Sequence, residues 1–107
     1  MKQKQRALEA YLVAAARHGN RKAIAQLFEL RGPRLLAHAT RLLGERDGAQ
    51  DVVQDAWADI RRSIGSLRDV NAFLPWALRI VSRRVARDIS RRQRSRKLAR
   101  DYAQEMD

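Results

Sequence analysis

The chain has 107 residues, with 23 Lys and Arg against 12 Asp and Glu, a formal net charge of +11 and no cysteine. That length supports one domain with one core rather than two, and the lack of thiols excludes disulfides, thiolate metal sites and cysteine catalysis. So large a cationic excess points to a polyanionic partner, either nucleic acid or an anionic membrane surface.

No apolar run approaches the roughly 18 residues that span a bilayer, and the opening MKQKQRALEA lacks the apolar core of a signal peptide. The sequence therefore predicts a soluble, cytoplasmic protein with no membrane insertion, acting as a monomer. Ala, Leu, Arg, Gln and Glu are abundant and strand formers are few. The expected fold class is all-α, a compact bundle of three to four helices with a long basic C-terminal helix.

A first helix is expected from about residue 5 to 17, with Leu8, Tyr11, Leu12, Ala15 and Ala16 on one core-covering face and Gly19 at its end. A second should start near Arg21 and place Ile24, Leu27 and Phe28 inward. Pro33 lacks an N–H and disfavours helical angles at Gly32, so this helix is expected to kink or restart there. Leu35, Leu36, Ala39, Leu42 and Leu43 then carry the apolar stripe to Gly44. His18 and His38 are the only imidazoles. One falls at a helix end and the other beside a stripe, so both read as structural or surface residues.

From Asp47 to Ile64, Val53, Trp57, Ile60 and Ile64 step by four, three and four, which defines a buried side. Asp47, Asp51, Asp55 and Asp59 step by four each time and stack four carboxylates along another side. Acids favour the N-terminal dipole of a helix, which accounts for Asp47 and Asp51. Asp55 and Asp59 lie too far along for that, and like charges at this spacing oppose helix formation. A basic partner surface is the more economical reading of the ladder.

Gly65 to Ala72 breaks the helix, with Asn71 as a candidate cap for the next one, which can begin anywhere from Asn71 to Leu74. A polar loop heading a basic helix can offer N–H groups and amide edges to an unstacked base. Phe73, Ala77, Ile80, Val81, Val85 and Ile89 line the inner side of that last helix. From Arg79 to Arg100 the remaining positions hold nine Arg and one Lys against a single acid, Asp88. A merely solvated face would mix Glu with Lys. A membrane-surface helix would set aromatic residues and Leu opposite its cations, but this stretch has no aromatic and one Leu. Nucleic acid is the partner that fits, and Arg suits phosphate and base edges better than Lys does. Beyond Arg92 no apolar face remains, so the helix is expected to fray there. Residues 1–97 are read as the domain and 98–107 as the start of a linker or tail.

Taken in order, GPRLL, DVVQDAW and the FxxWxxRI pattern of FLPWALRI resemble the second conserved region of bacterial sigma factors of the extracytoplasmic-function (ECF) group, over about Tyr11 to Arg96. The resemblance implies a helical domain that binds core RNA polymerase and recognises the melted minus-ten promoter element on the non-template strand. It implies that Asp51, Gln54 and Asp55 dock on the coiled coil of the polymerase clamp. Arg68 and Asn71 would border a pocket for a flipped base, and Arg79, Arg83, Arg84 and Arg87, with Arg91 beyond them, would contact promoter DNA. Trp76 belongs either to the core or to the surface where strands part. The family usually carries Asn at the position of Arg83, and its second domain, a helix-turn-helix, is not among these residues, which fits either an excised fragment or a single-domain relative with a changed role. An anti-sigma factor is a further implied partner.

The function read from the sequence is therefore non-catalytic: a transcription-initiation module that holds non-template single-stranded DNA. No catalytic residue, metal or cofactor is expected. The alternatives are a basic helical protein that coats nucleic acid without sequence preference, and a protein-binding module held by an anti-sigma factor.

Overall fold

The computed structural model describes residues 2–106. Four helices, α1 (Lys2–Ala16), α2 (Arg21–Leu43), α3 (Arg46–Ser63) and α4 (Phe73–Met106), form one bundle, and two 3-10 turns, Ile64–Ser66 and Val70–Ala72, join α3 to α4. α2 packs against each of the other three helices, and α3 lies along α4. Among the described residues there is no strand, and no helix is long and apolar enough to cross a membrane.

The end of α1 and both ends of α2 follow from local chemistry. Gly19 and Gly44 adopt φ values of 85° and 80°, left-handed angles that cost a glycine little and close a helix. Asn20 then starts α2 by accepting the Ala23 amide on its side chain at 3.0 Å, which satisfies one of the orphan donors of the first turn. Pro33 neither ends α2 nor restarts it, and the helix runs unbroken to Leu43. The proline lies on the exposed side of α2, where water can replace the donor that the Glu29 carbonyl loses. Asp69, rather than Asn71, is the capping residue here, and it caps the 3-10 turn Val70–Ala72 that leads into α4, its carboxylate accepting the Asn71 amide at 2.9 Å. Pro75 falls in the first turn of α4, where its missing N–H costs nothing.

The core is one apolar cluster in which Leu27, Leu35, Ile60, Phe73 and Val81 are all but fully buried. Phe28 and Trp57 close it between α2 and α3, with ring centroids 4.9 Å apart and planes tilted by 59°, an arrangement that favours ring edge against ring face. α1 departs from expectation. Leu8 and Tyr11 are exposed, whereas Glu9, Leu12, Val13 and Ala16 are buried. Both sets have helical spacing, so periodicity alone does not choose between them. Glu9 is drawn inward by an ion pair with Arg31 of α2, in which both side chains are largely shielded from water.

α4 also differs from expectation. Its apolar face ends at Val85, and Ile89 lies at the surface, yet the helix does not fray at Arg92 and continues to Met106. Arg, Lys, Leu, Ala and Gln favour a helix, and no Gly or Pro follows Pro75. Arg92 also ties this half of α4 to the start of α3 through Glu45, at 2.9 Å.

Midway along, α3 and α4 are joined by a fork. Arg84 donates from Nε to Asp59 Oδ2 at 2.6 Å and from Nη2 to Asp59 Oδ1 at 2.8 Å. A bidentate pair of this kind fixes both side chains. The hydrogen bonds from Arg84 hold the Asp59 carboxyl below its ordinary range against the opposing effect of burial, with charge from Arg84 and Arg62 adding to them. The same bonds raise the Arg84 guanidinium.

Two outcomes test these ties. Glu9→Ala leaves the shielded Arg31 without its partner and should cost about 3 kcal/mol in urea unfolding, whereas Glu9→Leu combined with Arg31→Met should recover most of that loss. Because Asp59 binds its proton less readily folded than unfolded, its pair stabilises the protein fully above the unfolded carboxyl value of about 3.9 and is lost as pH falls through the lower folded value. Thermal unfolding of Asp59→Asn should therefore lose less stability than the wild type on acidification below about pH 4.

Candidate polymerase-docking and nucleic-acid interfaces

The acidic ladder of α3 divides in two. Asp47, Asp51 and Asp55 are exposed, and no ion pair involves them among the described residues. Asp59, the fourth rung, is half-buried and committed to Arg84 and Arg62. The burial of Val52, Val53, Ala56, Trp57 and Ile60 fixes the rotation of α3 and so leaves the first three carboxylates exposed, Asp55 at the edge of a recess of about 530 Å3 that it shares with Arg84, Arg87 and Arg91 of α4. Gln54 is exposed as well, and with Asp51 it edges an apolar groove of about 700 Å3 between α2 and α3, floored by Phe28, Pro33, Leu36 and Val53. Free carboxylates and an amide beside an apolar trough suit a basic, partly apolar protein surface better than a small ligand.

The cations of α4 divide in the same way. Arg79, Arg83 and Arg87 step by four along the helix, are exposed and have no ion-pair partner among the described residues. Arg84 belongs to the Asp59 fork. Arg91 pairs with Asp88 at 2.8 Å and keeps most of its surface exposed. Arg92 Nε lies 2.9 Å from Asp88 Oδ2, close enough for an ion pair but without the alignment of a hydrogen bond. The expected row of equivalent arginines is thus three free guanidiniums, one that is structural and one that is partly neutralised.

Trp76 is half-buried, its ring centroid 5.9 Å from that of Phe73 at the edge of the core. Its other side lines a recess of about 240 Å3 between α3 and α4, together with Ser63, Ile80, Arg83, Arg87 and the Asp59–Arg84 fork, whose carboxylate is already neutralised by its own arginines. Trp76 therefore packs against the edge of the core and also faces a surface recess. An aromatic edge among guanidiniums can stack a base and hold its phosphate.

Arg68 and Asn71 are exposed on the loop that leads into α4. The structure thus sets the loop, Trp76 and the free arginines in series along one helix. Two participants escape a reading of the sequence. Asp59 looks like its three neighbours in the ladder, and its partner Arg84 lies 25 residues away. Arg17, just past α1, donates to the Arg68 carbonyl at 3.2 Å across 51 residues, and no spacing rule signals such a bond.

His38 does not meet His18, which is exposed at the end of α1. His38 Nε2 lies 2.8 Å from Ser82 Oγ of α4, and Arg41 approaches Nδ1. A guanidinium can only donate, so Nδ1 accepts and Nε2–H donates to Ser82. Burial first, then the charges of Arg41 and Arg34, push the His38 pKa down, which keeps the ring neutral in this tie between α2 and α4. Among the described residues, no three His, Cys, Asp or Glu side chains are grouped so as to hold a metal ion.

The family model for sigma-70 region 2 matches residues 27–95, which takes in most of α2, all of α3, the loop and the first two-thirds of α4. No match was found among curated proteins or among solved structures. With the match covering more than half of its length, the chain belongs to the sigma-70 region 2 family, whose domains take part in binding RNA polymerase and recognising the minus-ten promoter element.

Proposed function

We propose that this domain docks on core RNA polymerase through α3 and holds the non-template strand of a melted minus-ten element with the loop and α4. The observation that carries the reading is the segregation of unpaired charge: Asp51 and Asp55 stand free on α3, while Arg79, Arg83 and Arg87 stand free on α4. Asp51, Gln54 and Asp55 are the docking residues, and their target is the basic coiled coil of the polymerase clamp. Arg68 and Asn71 border the pocket for an unstacked base, and Trp76 lines the surface where the strands part. Arg79, Arg83 and Arg87 bind phosphates and base edges. Arg91 contributes through its exposed side, and Arg84 acts indirectly, by setting α4 against α3.

The mechanism is differential binding. Unstacking a base step costs a few kcal/mol, and an opened strand exposes base faces and phosphates that the loop and α4 fit better than they fit stacked duplex. Each phosphate neutralised releases counterions, so the domain's own contribution is strongest at low salt. Polymerase supplies the rest by holding the strand in place. The order of GPRLL, DVVQDAW and FLPWALRI supports membership of the ECF group, and with it a cytoplasmic site of action. Residues 1–97 are assigned as the working domain, and α4 continues beyond it to Met106. An anti-sigma factor that covered either pole would compete with the polymerase or with the strand.

The direct experiment measures binding of the chain to core polymerase and then scans single-stranded oligonucleotides of varied sequence against the complex. The reading predicts a tight complex with a base preference, whereas equal affinity for every strand would favour a nonspecific coat. Reversing the charge at Asp51 and Asp55 together should weaken polymerase binding by about tenfold or more, equivalent to about 1.4 kcal/mol, with helical content and DNA affinity nearly unchanged. Unchanged polymerase binding would defeat the docking assignment. Arg83→Ala with Arg87→Ala should lower the salt dependence of DNA binding by about one unit for each phosphate that the variant no longer neutralises, and a slope equal to the wild type would remove both residues from the interface.

A further inference from the structure

We infer that Arg17, in the turn that ends α1, is a positioning residue for base recognition, because its guanidinium holds the Arg68 peptide from outside the loop. The inference rests on the reading of that loop as the base-contacting element. α1 lies wholly before residue 27, where the family match begins, so membership of the family assigns it no task.

The loop from Gly65 to Ala72 is pinned at both ends by its own bonds. On one side Ser66 Oγ donates to the Ser63 carbonyl at 2.6 Å, the Leu67 amide donates to the Ile64 carbonyl at 3.1 Å, and the Leu67 side chain is buried in the core. On the other, the Asp69 carboxylate accepts the Asn71 amide at 2.9 Å and the Asp69 carbonyl accepts the Ala72 amide at 3.0 Å. The peptide between Arg68 and Asp69 lies between these two anchored turns. Rotating it would swing the Arg68 side chain and shift the Asp69 turn that carries Asn71.

Arg17 Nη1 donates to the carbonyl of that peptide at 3.2 Å. Its own backbone is firmly placed, because the Arg17 amide donates to the Val13 carbonyl at 2.9 Å and Val13 and Ala16 are buried. The Arg17 carbonyl also abuts the start of the loop, where a Cβ added at Gly65 would lie 3.8 Å from it. One residue at the end of α1 thus meets the loop at its first turn and at its middle. The carbonyl is neutral and the guanidinium charged, a combination stronger than a bond between neutral groups. Arg17 is half-buried, while its bond to the Arg68 carbonyl lies at the surface, so a salt series is needed to separate a brace from a phosphate ligand.

The experiment uses the chain bound to core polymerase, a panel of single-stranded oligonucleotides differing at one base, and a series of ionic strengths. Arg17→Met keeps the aliphatic stem and removes the donor, whereas Arg17→Lys keeps a cationic donor. The expected result is that Arg17→Met narrows the ratio of best to worst oligonucleotide about fivefold or more, that Arg17→Lys stays close to the wild type, and that the salt slope is unchanged in both. Arg17→Gln, too short to span the same gap, gives the same comparison should Arg17→Met fail to fold. A wild-type ratio in the variants that lack the cation overturns the inference. So does a salt slope reduced by about one unit, which would make Arg17 a phosphate ligand, and so does an equal loss of preference in Arg17→Lys. A wild-type complex that binds all sequences alike overturns the base-reading itself, and this inference with it.

Discussion

α3 and α4 share one apolar core and carry opposite charge, and the structure depends on how little of that charge they neutralise between them. Were the acidic side of α3 laid against the basic side of α4, each would satisfy the other and neither would have reason to bind a partner. The buried residues limit this, and Asp55 is the one free rung that still shares a recess with Arg84, Arg87 and Arg91. Val53, Trp57 and Ile60 turn α3 inward on one side, and Phe73, Ala77 and Val81 do the same for α4. The helices therefore meet through hydrophobic side chains, and their charges touch at two places, the Asp59–Arg84 fork and the Glu45–Arg92 pair. Asp51 and Asp55 on one helix, and Arg79, Arg83 and Arg87 on the other, remain unpaired among the described residues.

Burial of apolar surface sets the rotation of each helix, and rotation decides which charges face solvent. The fork adds a second constraint. A guanidinium and a carboxylate joined by two hydrogen bonds have a defined relative orientation, so Asp59 and Arg84 fix the register of α4 along α3 just where the free arginines lie. Removing either partner would leave the other half-buried charge uncompensated, so both are better understood as parts of the scaffold than as ligands of DNA.

Much of this is legible in the sequence, for identifiable reasons. The steps between Val53, Trp57 and Ile60 fit a single helical face, and α3 buries that face. The single-sign charge of Arg79 to Arg100 has little local compensation, and it marks the basic helix. The face of α1 is ambiguous because Leu8 and Tyr11 satisfy the same periodicity as Leu12 and Val13, and the deciding element, Arg31, lies on another helix. The continuation of α4 past Arg92 does not follow from an apolar face, since none is left there, but from the propensity of Arg, Ala, Leu and Gln to hold the helical conformation. The fork and the Arg17 brace are invisible in the sequence for a different reason. Both join distant residues, and neither leaves a mark in spacing or composition.

The division into two poles is tested most directly by hydroxyl-radical footprinting of side chains on the free chain, on its complex with core polymerase, and on that complex with single-stranded promoter DNA. Polymerase should protect the groove around Phe28, Pro33 and Leu36, and added DNA should then protect Trp76 and the neighbouring surface of α4. Protection of Trp76 by polymerase alone, or of the α2–α3 groove by DNA, would contradict the account.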